Sequence, residues 1–360
     1  MHRRDFNMRL LGLPLAAALP ALGLEPETTP LPPGGSLTDV PGLKVGHFTR
    51  SERPTGCTVV LCENGAVAGV DVRGSAPGTR ETDLLSPVNL VDKVNAIVLS
   101  GGSAYGLDVA TGVMRYLEEQ GAGYKIGTLG VVPIVPAAIL MDLGVGDFKI
   151  RPDAACGYSA CKAATTASVP EGCIGAGAGA TIGKMFGPKY MMKSGLGTAS
   201  VKLGDTGIVV AAMVAVNALG DVLNPETGRI VAGARSEDGK GYRNSMAELL
   251  AGHSVTARGG ENTTIGVVAT NAKFTKTQMT KVAQMAHDGY ARSIAPVHTM
   301  ADGDTIFALS TGLAEKQADL SAIGAIAAAV MARAVVRAAL EATSIPALGL
   351  VACRDYARQR

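Results

Sequence analysis

The sequence predicts an α/β protein, with sheets covered by helices, and three observations carry that expectation. Short apolar strands joined by tight turns are interspersed with helical segments along the chain. Hydrophobic residues make up 47% of the 360 residues and charged residues 18%, so a sizeable core can be buried. The 46 glycines, many beside alanines, interleave with apolar runs, which implies close backbone packing rather than disorder.

The elements follow in order from Val45. TVVLC (58–62) and AVAGVDV (66–72) flank Glu63-Asn64-Gly65 and predict a hairpin. GSAPGTRETDLLSP (74–87) reads as a loop. AIVLS (96–100) is a buried strand, and GGSAYG leads into a helix from about Tyr105 to Gln120. A short Ala-rich helix is expected around 155–169, then a Gly-rich loop. GIVVAAMVAVN (207–217) is a buried strand, and NALGDVLNPETGRIVAGA has a hairpin pattern. A further buried strand starts at Ile265, residues 275–292 form an amphipathic helix, and TIFALST (305–311) is a strand. Residues 318–342 predict a long helix, apolar nearly all round and therefore mostly buried. With no internal repeat and no interior linker, residues 43–360 read as one domain.

The amino terminus is read separately. Residues 1–24 pair Arg3-Arg4 with an apolar stretch from Leu10 to Leu24, too short to span a bilayer comfortably. Arg3-Arg4, Asp5 and Phe6 resemble a twin-arginine export signal, so a periplasmic or exported protein is expected. Residues 25–42 read as a Pro-rich linker, and no later segment reads as long and apolar enough to span a membrane. The formal net charge is +2 and no basic tract follows the first ten residues, which argues against a nucleic-acid partner.

Six cysteines invite a disulfide reading, but their spacing argues against local pairs. Cys57 and Cys62 lie five apart on a strand and point to opposite faces; Cys156 and Cys161 are also five apart, a poor helical spacing. Buried free thiols are expected. His2, His47, His253, His287 and His298 form no metal spacing with them, so no metal and no cofactor are expected.

Two motifs are decoys. SGGSAYG (100–106) misses the G-x-S-x-G nucleophile elbow by one residue, because Tyr105 stands where glycine is needed. GAGAGATIGKM (175–185) misses a phosphate-binding loop at Ala178 and Met185. Lys184 at its end is either a site lysine or a solvated surface lysine. Asp302 and Asp304 in HTMADGDTIFALST are either turn residues or a carboxylate pair that can orient an amine, hold its proton or bind a metal. Asn217 ends an apolar strand, as a turn former or as an amide N–H for a developing oxyanion.

GGENTTIGVVAT (259–270) raises the sharpest question. Thr263 either begins a strand or is the new amino terminus left by a cut before it. A threonine hydroxyl is a weak nucleophile without a base. Breaking Asn262–Thr263 frees an α-amine with a reference pKa of roughly 7.7–8.0, which can serve as that base. The same hydroxyl can make the cut by attacking the Asn262 carbonyl.

Five stretches taken together carry a resemblance: VGHFT, TGCTVVLCENGAVAGVDVRGSAPGTRETDLL, VNAIVLSGGSAYGLDVATGV, NTTIGVVATNA and HTMADGDTIFALST. Over roughly residues 43–345 the chain resembles the DmpA-type L-aminopeptidase/D-esterase family, which includes β-aminopeptidases and nylon-oligomer hydrolases. The resemblance implies a four-layer α/β/β/α sandwich like that of ornithine acetyltransferase. It implies a precursor that cuts itself at Asn262–Thr263 into an α chain to 262 and a β chain from 263. Thr263 then matches the nucleophile, Asn217 the oxyanion residue, Asp302 and Asp304 the acids that orient the nucleophile or bind the substrate amine, and Lys184 a lysine of the threonine-type members. Met141 stands where several relatives have Tyr. The implied activity is hydrolysis of amides in short substrates with a free amino end, ω-amide oligomers being an alternative, by a homo-oligomer of the cleaved pair. An ornithine-acetyltransferase-like acyl transfer uses the same nucleophile.

Overall fold

The computed structural model describes residues 34–253 and 262–358. The expected signal and most of the expected linker lie outside these residues. The last part of that linker does not behave as one. Ser36 caps a short 3-10 turn over Leu37–Asp39, and Leu37 and Val40 are fully buried. The Leu37 N–H donates to Thr198 Oγ1 at 2.9 Å, so the folded unit begins before residue 43. The apolar side chains at 37 and 40 hold this segment against the core.

Eight main strands follow: β1 (Lys44–Thr49), β2 (Gly56–Val72), β3 (Lys93–Ser100), β4 (Ala137–Ile139), β5 (Leu196–Lys202), β6 (Val209–Asn217), β7 (Thr263–Thr270) and β8 (Thr305–Ser310). They join in the order β5-β6-β7-β8-β2-β3-β4, with β1 beside β2 and Thr79–Arg80 beyond β4. The β7/β8 and β3/β4 pairs are parallel.

The 17-residue β2 turns this ladder into two sheets. Its Gly56–Leu61 half lies between β1 and β3, and its Val67–Val72 half pairs with β8. The predicted hairpin at Glu63-Asn64-Gly65 is therefore absent. The turn-forming residues make an irregularity, with Gly65 at φ +79° and the register slipping between Leu61 and Ala66, while both halves stay paired to β3. Pairing to a common neighbour overrides the local turn signal.

The sheets face each other. Val60, Ile97, Leu99 and Ala138 of one pack with Met213, Ile265, Val267 and Phe307 of the other. Strand alternation sends Cys57, Val59, Ala96 and Val98 the opposite way, beneath helices α1 (Val109–Glu119) and α2 (Ala154–Lys162). Helices α3 (Lys276–Ser293) and α4 (Leu320–Leu340) cover the outer face of the second sheet. Gly197 of β5 permits that approach, since a Cβ there would fall 2.1 Å from the Ala334 carbonyl oxygen. The layers are α/β/β/α. Contrary to the expectation from sequence, α4 is long and apolar enough to cross a membrane by length and composition; its buried residues, among them Ile323, Ala327, Val330 and Val335, make it a core helix here.

The six cysteines are unpaired, and all except Cys173 are buried. Cys57 and Cys62 belong to different cores on opposite faces of β2, as their spacing predicts.

Candidate active site

Three neighbouring strand ends bring the polar residues together. The last residue of β6 faces the first of β7, in the register Asn217↔Thr263. Asp302 and Asp304 immediately precede β8, and Asn262 pairs with Asp302 beside them. Lys184, after the short strand Thr181–Ile182, donates from Nζ to the Asn217 carbonyl at 2.8 Å. The structure thus gathers Asn217, Asn262, Thr263, Asp302, Asp304 and Lys184 around one point.

At that point lies the Asn262–Thr263 peptide. Thr263 Oγ1 donates to the Asn262 carbonyl oxygen at 2.5 Å, and the Gly303 N–H donates to the same oxygen at 2.9 Å. Both residues are buried, Thr263 at 2% exposure. A carbonyl held by two donors is polarised, and the Thr263 hydroxyl lies alongside it.

The two aspartates divide their work. Asp304 Oδ1 accepts the Thr264 N–H at 2.7 Å. Its Oδ2 accepts from the His298 backbone N–H at 3.1 Å and from His298 Nδ1 at 2.9 Å. Asp302 Oδ2 accepts from the Thr299 N–H at 2.8 Å and the Thr299 hydroxyl at 2.5 Å. Burial raises the Asp302 carboxyl above its ordinary range and the Asp304 charge adds to this, while the Thr299 bonds and the Lys184 ammonium pull the other way.

Asn217 is oriented by Thr181, whose N–H and hydroxyl both approach Oδ1, at 3.0 and 3.4 Å. Its Nδ2 donates to the Met141 carbonyl at 3.0 Å. Residue 141 therefore meets the site through its backbone. The loop behind it is anchored by a fully buried ion pair, Arg53 Nη2 to Asp142 Oδ1 at 2.8 Å. Arg53 also donates to the carbonyls of Asp142, Val145 and Ile150, while Asp142 accepts from the Gly102 N–H and the Thr55 hydroxyl.

Several contributors escape sequence reasoning. Gly303 acts through its N–H. His298 depends on a backbone at φ +57°, and Thr181 and Met141 on tertiary contact. The signal for His298 was its place in HTMADGD, four residues before Asp302. The decoys keep structural roles. Ser103 opens the 3-10 turn Ser103–Asp108. The Gly-rich loop is tied by the buried Lys193, which donates to the carbonyls of Gly177 and Ala180 at 3.1 and 3.0 Å.

Comparison with known proteins agrees with this architecture. The profile of peptidase family S58 matches residues 35–350. An uncharacterised aminopeptidase of Mycobacterium leprae is 44% identical over 344 residues, covering 87% of this chain and 92% of that protein. A 6-aminohexanoate-oligomer endohydrolase of Kocuria is 33% identical over 319 residues, covering 84% and 85%. Among solved structures, a Burkholderia β-aminopeptidase superposes with a TM-score of 0.66 at 22% identity, covering 91% of this chain and 96% of that one. The L-aminopeptidase D-Ala-esterase/amidase of Ochrobactrum anthropi, described as a variant of the Ntn-hydrolase fold, gives 0.67 at 20% identity, covering 91% and 93%. The fold is of this Ntn-hydrolase type and the chain is a peptidase or amidase. It belongs to peptidase family S58, the DmpA family.

Proposed function

We propose that the chain cuts its own Asn262–Thr263 bond and then uses Thr263 as an amino-terminal nucleophile against amides. The observation that carries this is the Asn262 carbonyl oxygen held between Gly303 N–H and Thr263 Oγ1. In the cut, Thr263 Oγ attacks the Asn262 carbonyl carbon and the C–N bond breaks. The Thr263 nitrogen takes the hydroxyl proton, and water hydrolyses the resulting ester. The freed α-amine, a group whose reference pKa is roughly 7.7–8.0, is then the base beside its own hydroxyl. In turnover it takes the hydroxyl proton as Oγ attacks a substrate carbonyl and passes it to the leaving amine. Water releases the acyl group.

Asn217 and backbone N–H groups such as Gly303 are assigned to the oxyanion, Lys184 to the charge around it, Asp304 to holding β7, and Asp302 to a cationic substrate amine. The substrate class is a short amide with a free amino end. The likeness to the Kocuria endohydrolase favours a second reading, ω-amide oligomers, on the same machinery. Export through the amino-terminal signal and assembly of the cleaved pairs into a homo-oligomer complete the proposal.

The test is the intact mass of denatured wild-type protein beside Thr263→Ala, with hydrolysis of a panel of amino-acid and ω-amino-acid amides. Two wild-type fragments, the smaller beginning at Thr263, and a single inactive variant chain are expected. A variant that is cut, or a wild type active while uncut, overturns the assignment.

A further inference from the structure

Behind β7, on the side away from the sheet interface, lies a buried polar cluster that the hydrolytic steps do not use. Strand alternation points Thr264 and Gly266 toward α3, opposite to Ile265 and Val267. A Cβ on Gly266 would fall 2.6 Å from the Tyr290 hydroxyl. The His287 and His298 rings stand edge to face at 4.8 Å between centroids, with Tyr290 at 5.3 Å from His287 and 6.2 Å from His298. Four buried atoms here have no hydrogen-bond partner among the described residues: His298 Nε2, His287 Nδ1, the Tyr290 hydroxyl and Thr264 Oγ1.

Among the described residues the His298 ring has one polar engagement, and it is with the site. Nδ1 donates to Asp304 Oδ2, the backbone N–H of the same residue donates to the same oxygen, and Asp304 Oδ1 takes the Thr264 N–H. The chain of bonds therefore runs from ring to carboxylate to the peptide directly after the nucleophile. The residue is also held at φ +57°, a region non-glycine residues seldom adopt, so the surroundings fix the ring where Asp304 needs it.

We infer that His298 is a positioning residue for Thr263: its Nδ1–H locks Asp304, and Asp304 fixes the start of β7 so that the threonine hydroxyl stays aligned. The inference rests on Thr263 being the nucleophile. His298 acts through Asp304 and touches neither substrate nor the scissile bond.

The chemistry selects the variants. Asparagine places an N–H close to the position of Nδ1, lacks the partnerless Nε2, and tolerates positive φ better than most residues. Glutamine extends its amide past that position, and alanine removes the donor. His298→Asn is expected to self-cut and turn over within about threefold of wild type. His298→Ala and His298→Gln are expected to lose tenfold or more in self-cutting rate and in kcat, with KM changed less than twofold, as an alignment defect acts on the reacting atoms rather than on uniform binding. An asparagine variant as slow as alanine, or an alanine variant as fast as wild type, overturns the role. Nitrogen-15 NMR of the wild-type histidines, with the His298 signal assigned by its loss in His298→Asn, gives a readout independent of whether the other variants fold. A proton on Nδ1 is expected, and a proton on Nε2 alone overturns the inference. The failures are distinguishable: a cut and active Thr263→Ala removes the nucleophile assignment and this inference with it, whereas a normally cut and active His298→Ala removes only this one. An uncut, inactive wild type removes both.

Discussion

Gly303 has no side chain, and its surroundings leave room for none. A Cβ there would fall 2.6 Å from the Ala76 carbonyl oxygen and 3.1 Å from Thr263 Oγ1. Its φ is not in the left-handed region, so alanine is excluded by space rather than by backbone strain. Gly303→Ala should displace the N–H that holds the Asn262 carbonyl. A fall in self-cutting rate of about 100-fold is expected, the size of losing one oxyanion donor, read from the time course of fragment appearance. An unchanged rate would remove the Gly303 N–H from the mechanism. At this scale the sequence was most informative about side chains. Thr263, Asn217, Asp302, Asp304 and Lys184 are polar residues where apolar runs or Gly-rich loops stop, and strand ends in one sheet meet. Gly303 and Met141 act through backbone groups, which no residue type advertises, and His298 through a φ value that spacing does not encode.

The segment after β4 shows how an element's placement is held by charge. Asp142 follows Met141 directly, and its pairing with Arg53 is fully buried. Removing one partner leaves an uncompensated charge in the interior. Asp142→Ala should lower stability by about 3–5 kcal/mol, measured by denaturant unfolding. It should also reduce turnover, because the Met141 carbonyl that holds Asn217 is no longer fixed. A loss below about 1 kcal/mol would mean that the carbonyl contacts of Arg53 hold the loop without the carboxylate. Elements were legible where periodicity and length were decisive: α3 and α4 lie within two residues of expectation. The region 58–72 was not, because Glu63-Asn64-Gly65 carries local turn chemistry while the pairing of both halves to β3 is long-range.

Stability and layering belong to the whole molecule. Composition and pattern gave sheets covered by helices; the number of layers came only with the family resemblance, since it depends on β2 passing from one sheet to the other. The stability should respond to acid through His287, which is fully buried between Asp71, Arg73, Tyr290 and His298. Burial is the largest cause lowering its pKa from 6.5 to about 4. The unfolded chain therefore takes up this proton before the folded one does. The contribution is complete above pH 6.5 and is lost as pH falls to about 4. The loss is about 3 kcal/mol. His287→Gln, whose amide can still donate to the Asp71 carbonyl, should lack that slope. Urea unfolding of both proteins from pH 7 to pH 4 measures it, and parallel curves would contradict it.

Strands β7 and β8 lie side by side between β6 and β2, so these two strands from after residue 262 have strands from before it on both sides. A cut at Asn262–Thr263 severs the covalent thread and leaves this weave intact. Before it, folding is a first-order event within one chain. After it, any complete unfolding releases two separate molecules, and recovery becomes second order and dependent on dilution. On this reading the shape would be acquired as a single chain before the cut and regained afterwards only when two molecules meet.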